Sequence, residues 1–190
     1  MCDIDHTTLW EVVETYTGIS QSVFSRHVGA RSACSILYLR CMQILLAHIG
    51  ARPSSKDQFE AISSMYLERC SAFARCQAES FRSETALFEW LDRQHRRAPA
   101  ITVFLDSRGR QLTSEQFAEW LGRQRDNGAQ QIVFAIGPAD GWSESAQKRA
   151  TLLFSLGPLT LAHALARVVL AEQLYRAFTI LTGHPYHSGH

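Results

Sequence analysis

The chain has 190 residues, 46% of them hydrophobic and 19% charged, with a formal net charge of +1. This balance excludes a disordered chain, and 11 glycines with 5 prolines exclude collagen-like and low-complexity classes. No apolar stretch reaches the roughly 18 residues of a membrane span, and the near-neutral charge does not announce a nucleic-acid binder.

All but two of the basic residues are arginine, the lysines being Lys56 and Lys148. This excess reads first as compositional bias. The cysteines are Cys2, Cys34, Cys41, Cys70 and Cys76, with no C-x-x-C pair and no zinc-finger spacing. Reduced thiols in a cytoplasmic protein are the simplest account, and no metal is expected. The opening MCDIDHTTLW carries two acids and no apolar run of the kind a secretory signal needs.

In chain order, Thr8 and Glu11 make a capping box ahead of a stripe of Leu9, Val12, Val13 and Tyr16. Val23, Phe24 and Val28 suggest a second helix, and residues 31–41 a third. Gln43–Ile49 is short, apolar and closed by Gly50, which predicts a buried strand. A helix follows, with Ser54 or Ser55 as cap and Phe59, Ile62, Tyr66 and Phe73 as its apolar stripe. Arg75–Ser80 is a weaker strand. Leu87, Trp90 and Leu91 then mark a helix capped near Ser83.

AITVFLD, residues 100–106, is a strand by its β-branched and aromatic content, ending in SRGR read as a turn. Thr113 and Gln116 form the next capping box, Phe117, Trp120 and Leu121 the stripe, and Asn127-Gly128 the stop. QQIVFAIG, residues 130–137, is a third strong strand. A short helix is expected from Ser143 to about Leu152, and LLFSLGPLTL holds one more strand and a turn. Ala162–Leu181 is a long helix, followed by the polar tail GHPYHSGH.

Alternating strands and helices predict an α/β fold with a largely parallel sheet, whose ligands bind at the carboxyl ends of strands. Three glycine-containing loops fall at such ends: 106–109, 137–141 and 156–161. There is no G-x-G-x-x-G, no phosphate-binding P-loop and no G-x-S-x-G. The densest polar cluster is the tail, with His184, Tyr186, His187 and His190 after Tyr175 and Arg176. Two histidines three apart need a third ligand and a rigid frame to hold a metal, and the tail supplies neither.

The stretch LTLAHALARVVLAEQLYRAFTILTGHPYH resembles the C-terminal signature of the RlmH family, SPOUT-class methyltransferases of large-subunit ribosomal RNA. VFLDSRGRQLTSEQFAEWL is similar to that family's LDERGK strand and following helix, and QQIVFAIGPADGWS to its I-G-G-P-x-G loop. MQILLAHIG is similar to the family's first strand, so the resemblance runs from Met42 to about His187. Two features depart from the pattern. The double glycine reads Ile136-Gly137, and Ser188 follows HPYH where a basic residue is common, leaving His190 as a substitute phosphate contact.

The resemblance implies a SPOUT-type, mostly parallel sheet with a C-terminal trefoil knot, an S-adenosylmethionine cofactor and a homodimer. It implies methylation of N3 of a pseudouridine in large-subunit (23S) ribosomal RNA on the assembled ribosome, in the cytoplasm and without membrane or metal. Another RNA site and a non-catalytic ribosome-binding factor are the alternatives. The implied cofactor positions are Leu105, Gly137, Leu156, Gly157, Pro158, Leu159, Thr160 and Leu161. An imide nitrogen must lose a proton before methylation, so His184, Tyr186 and His187 are the catalytic candidates. Arg176 and Arg167 are candidates for phosphate contact or orientation, and His163 is an alternative catalytic candidate whose favoured reading is a buried, hydrogen-bonded core histidine.

Residues 42–190 thus read as a SPOUT methyltransferase domain and residues 1–41 as a helical extension. The extension reads as a docking appendage, as a packing element, or as the product of a start codon upstream of Met42.

Overall fold

The computed structural model describes residues 42–54, 56–94 and 99–187. The helices read in residues 1–41, together with Cys2, Cys34 and Cys41, lie outside the described residues, as does His190. The elements are β1 (Gln43–Ile49), α1 (Gln58–Cys70), β2 (Arg75–Phe81), α2 (Glu84–Gln94), β3 (Ile101–Gln111), α3 (Ser114–Asp126), β4 (Gln131–Ile136), α4 (Glu144–Arg149), β5 (Leu152–Ser155) and α5 (His163–Thr182). A 3₁₀ turn at Pro185–His187 follows.

The strands form one sheet in the order β2-β1-β4-β3-β5, every pairing parallel. Helices cover both faces, so the central strands are apolar on alternate and intervening positions alike. Ile44, Leu46, Ile132 and Phe134 face α1, α3 and α5 in one core. Leu45, Ala47, Val133 and Ala135 face α2 and α4 in the other, with Phe104 and Trp142. That alternation is the two-residue period of a pleated strand.

Most predicted elements appear where the periodicity put them. The Thr113–Gln116 capping box is formed: the Thr113 amide donates to Gln116 Oε1 at 3.0 Å, and the Gln116 amide to Thr113 Oγ1 at 3.2 Å. The Ala86 amide donates to Ser83 Oγ at 3.2 Å.

Three expectations are corrected. SRGR is not a turn but the second half of β3. After a register shift, Arg110 and Gln111 pair with Phe154 and Ser155 of β5. Gly109 permits this, because a Cβ there would lie 2.6 Å from the Phe154 amide nitrogen. The cap of α1 is Asp57, whose Oδ1 accepts from the Phe59 amide at 3.0 Å, rather than Ser54 or Ser55. The buried face of α1 is Ser63, Leu67 and Cys70, while Phe59, Ile62 and Met65 are exposed. The neighbouring α5 decides this: Tyr66 and Phe73 turn toward Tyr175 at 6.2 Å between ring centroids. Among the described residues no helix is long and apolar enough to cross a membrane.

Candidate functional site

The carboxyl ends of β3, β4 and β5 meet at one rim of the sheet and enclose a cavity of about 470 Å³. Leu105 enters from β3, Gly137 from the loop after β4, and Leu156, Gly157, Leu159, Thr160 and Leu161 from the loop after β5. Seven of the eight expected cofactor positions therefore line one space, and Pro158 belongs to the same loop without forming its wall. Adjacent strand ends bring together residues far apart in sequence, as parallel α/β sheets do.

Trp142 holds the wall in shape. Its indole Nε1 donates to the Leu105 carbonyl oxygen at 2.9 Å, and its ring stacks on Phe104 with centroids 4.4 Å apart. A Cβ at Gly137 would lie 2.9 Å from the Trp142 ring, so glycine is what lets the indole close against β4. Ser155 Oγ donates to the Gly157 carbonyl oxygen at 2.9 Å and fixes the start of the β5 loop.

Asp106 is one of two carboxylates that line this cavity, Asp140 being the other. Asp106 accepts from the Arg108 amide at 2.9 Å and from the Arg108 guanidinium at 3.1 Å. Those hydrogen bonds, above all from the side chain, hold its carboxyl below the usual carboxylate range, so it is an acceptor at neutral pH. His163, expected in the core, is instead exposed at the cavity. It stands at the first turn of α5, where the chain has only begun to enter the core. Trp142 was missed by the sequence reading, and Asp106 was placed in a strand-end loop without a role. The signals for them were an aromatic inside a Gly/Pro loop and an acid at a strand end.

The tail candidates gather elsewhere. Arg176 donates to Glu172 Oε1 through Nε at 3.0 Å and Nη2 at 2.6 Å, and the Tyr186 hydroxyl donates to the same oxygen at 3.3 Å. Tyr186 sits edge-on to Tyr175 at 4.8 Å and beneath the Arg176 guanidinium at 5.1 Å. Burial, with a hydrogen bond to Tyr66, pushes the Tyr186 phenol up to about 12, so it is a proton donor rather than a base at neutral pH.

His184 Nδ1 accepts from the Tyr186 amide at 3.2 Å. Gly183, at φ 69°, turns the chain so that the His184 amide reaches the Thr179 carbonyl oxygen at 2.9 Å. His187 closes the 3₁₀ turn, its side chain lying outside the described residues. Glu172, the hub of this cluster, was also missed, although its four-residue spacing from Arg176 is the helical ion-pair interval.

At about 1.5 Å per residue, Arg176 lies about 20 Å along α5 from His163. Within one chain the tail and the cavity are therefore separate. Arg167 joins neither: it is buried, with Nη2 3.5 Å from Asp57 Oδ2 and Nη1 3.7 Å from Glu60 Oε2. Among the described residues no three His, Cys, Asp or Glu side chains converge as a metal-ligand set.

A family model described as "Predicted SPOUT methyltransferase" matches residues 42–187. The chain is 47% identical over 149 residues to the ribosomal RNA large subunit methyltransferase H of Koribacter versatilis, covering 78% of this chain and 100% of that protein. It is 55% identical over 89 residues to the protein of the same name from Novosphingobium aromaticivorans, covering 47% of this chain and 63% of that one. Among solved structures it is similar to the SpoU methyltransferase AviRb from Streptomyces viridochromogenes in complex with AdoMet. That likeness has a TM-score of 0.42 and 14% identity, over 73% of this chain and 60% of that one. The family match runs from Met42, just before the first strand, through the turn that closes α5, and the chain belongs to the SPOUT methyltransferase family.

Proposed function

We propose that the chain is an S-adenosylmethionine-dependent methyltransferase acting on N3 of a pseudouridine in large-subunit ribosomal RNA. The observation that carries this reading is the convergence of the β3, β4 and β5 ends on one cavity with the Leu156–Leu161 loop as its wall. The residues present fit the cofactor. The cavity's 470 Å³ lies within the range of small-molecule sites, and its lining mixes apolar side chains with loop backbone. The tight approach of Trp142 to Gly137 shapes it further. Leu105, Gly137, Leu156, Gly157, Leu159, Thr160 and Leu161 would hold the cofactor, with Asp106 as the ionised acceptor beside them.

When bound, S-adenosylmethionine supplies an already activated methyl group. What remains for the protein is to align the nucleophile and take one proton. His184 and His187 are the candidates for the proton; Tyr186, held as a phenol, orients by donating. Arg176, fixed by Glu172, offers a guanidinium to the RNA backbone. Their separation of about 20 Å from His163 along α5 supports a homodimer, in which a second copy's tail completes the cavity. Leu159, 77% exposed beside the cavity, is an apolar contact for that copy.

The family further implies a trefoil-knotted crossing and work on the ribosome in the cytoplasm. The non-sequential strand order and the return of α5 alongside α1 support the knot. Residues 42–190 are read as the catalytic unit.

Nucleoside mass spectrometry of ribosomal RNA from a deletion strain tests the assignment. Loss of methylpseudouridine, restored by the gene, is expected. An unchanged level would remove the substrate and favour another RNA site. Failure to bind S-adenosylmethionine in calorimetry would leave only a non-catalytic ribosome-binding role.

A further inference from the structure

A second cavity, also about 470 Å³, opens at the carboxyl ends of β1 and β2 beneath the first half of α1. Ser63 and Arg167 are among the residues that line it, and each carries an enclosed polar atom without a partner, Ser63 Oγ and Arg167 Nε. Both residues are more than nine-tenths buried, at 4% and 7% exposure. A buried donor left unmatched costs about 1–3 kcal/mol, so two of them in one cavity point to a hydrogen-bonding occupant. The ion pairs of Arg167 do not account for this. At 3.5 and 3.7 Å they are long, and neither uses Nε. His48 adds an imidazole whose Nε2 donates to the Ala51 carbonyl oxygen at 3.2 Å, with Arg167 Nη1 3.4 Å from the same nitrogen. Burial, aided by that guanidinium, holds His48 below its ordinary range and therefore neutral.

The chemistry of the lining selects the occupant. Glu60 and Glu79 balance Arg52 and Arg167 in the lining, and Asp57 pairs with Arg167 from outside it, which leaves no positive excess for a phosphate. Buried donors on Ser63 and Arg167 disfavour a purely apolar guest. Donors and a carboxylate acceptor set side by side, against the apolar side chains of Leu46 and Leu67, suit a flat neutral group with alternating acceptors and donors on its edge. A nucleobase has that form, and RNA proteins read unpaired bases in this way. The location agrees. Arg167 follows His163 by one turn on α5, so the two cavities open on neighbouring stretches of the same rim.

We propose that this second cavity receives an unpaired nucleobase of the RNA substrate, read by Arg167, Ser63 and Glu60, beside the methyl-donor site. This rests on the RNA-methyltransferase reading for the identity of the polymer. The base anchors the strand and sets which nucleotide reaches the methyl donor.

The test uses the full chain with histidine labelled for NMR, His48 being assigned by loss of its signal in His48→Gln. A uridine trinucleotide is titrated in parallel with an abasic trinucleotide of the same sugar-phosphate backbone. The uridine trimer is expected to shift the His48 ring signals and the abasic trimer to leave them in place. Ala78→Trp, an exposed position on the cavity wall, should abolish the shift by filling the space. Equal shifts from both trimers would overturn the nucleobase in favour of a backbone phosphate. No shift from either would overturn it in favour of ordered water.

A kinetic arm reads the same variant. Ala78→Trp should raise KM for ribosomal particles by roughly tenfold with S-adenosylmethionine affinity intact, and an unchanged KM would overturn the proposal. A trinucleotide shift in a chain that methylates no RNA would support the base site and count against the methyltransferase reading alone.

Discussion

Trp142 and Leu105 are joined by a 2.9 Å hydrogen bond from the indole Nε1 to the carbonyl oxygen, tying the loop after β4 to the end of β3. That single bond sets the width of the proposed cofactor cavity, because the same indole stacks on Phe104 and abuts Gly137. Trp142→Phe keeps most of the stacking but leaves the Leu105 carbonyl without its donor, at a cost of about 1–3 kcal/mol. Trp142→Ala adds a cavity and costs about 3–5 kcal/mol. Denaturant unfolding measures both. Calorimetry with S-adenosylmethionine should show weaker binding for Trp142→Phe while the fold persists.

Gly137→Ala tests the same wall from the other side. Its Cβ, 2.9 Å from the indole, forces the ring to move, and overpacking of this kind costs about 1–3 kcal/mol. S-adenosylmethionine affinity should fall by roughly tenfold, whereas Gly128→Ala, at a helix stop away from the cavity, should lower stability and leave affinity unchanged. Equal affinities for Gly137→Ala and the parent chain would show that the wall does not contact the cofactor.

Glu172→Gln removes the negative hub that holds Arg176 and the Tyr186 hydroxyl. Cofactor binding should be unaffected, since no residue of this cluster is among the lining positions that would hold the cofactor. Methylation should fall by roughly 100-fold, chiefly in kcat, if the tail aligns the nucleophile. Single-turnover kinetics separate this from a change in cofactor affinity.

His48 makes stability depend on pH. Its pKa in the folded chain lies below 6.5, lowered first by burial and also by Arg167. Below 6.5 the unfolded chain binds the proton more readily. The stability His48 contributes is therefore complete above that pH and is lost as pH falls toward the folded-state value. Unfolding midpoints should drop between neutral and mildly acidic pH, and His48→Gln should flatten that part of the profile.

Thr113→Ala removes one half of the capping box at the start of α3 and should cost about 1 kcal/mol. Thermal unfolding measures it, and Thr113→Ser should recover most of the loss.

The sequence by itself determined the elements whose causes are local. The capping box at Thr113 and Gln116, the apolar run of β1 and the Asn127-Gly128 stop after α3 each depend on residues a few positions apart, and each formed as read. The cavity at the strand ends was legible too, because parallel strands end in loops at one rim and residues 156–161 are a single continuous stretch. Only the tertiary structure decided what depends on a neighbour distant in the chain. SRGR became strand because β5 offered Arg110 and Gln111 partners across a register shift. Phe59 and Ile62 remained exposed because α5 claimed the other face of α1. Arg167 and Ser63, more than 100 positions apart, came to share a second cavity with neither Ser63 Oγ nor Arg167 Nε paired. Periodicity reports which side of an element is apolar. Which polar groups meet inside is fixed when the elements pack and each buried donor must find an acceptor or wait for one.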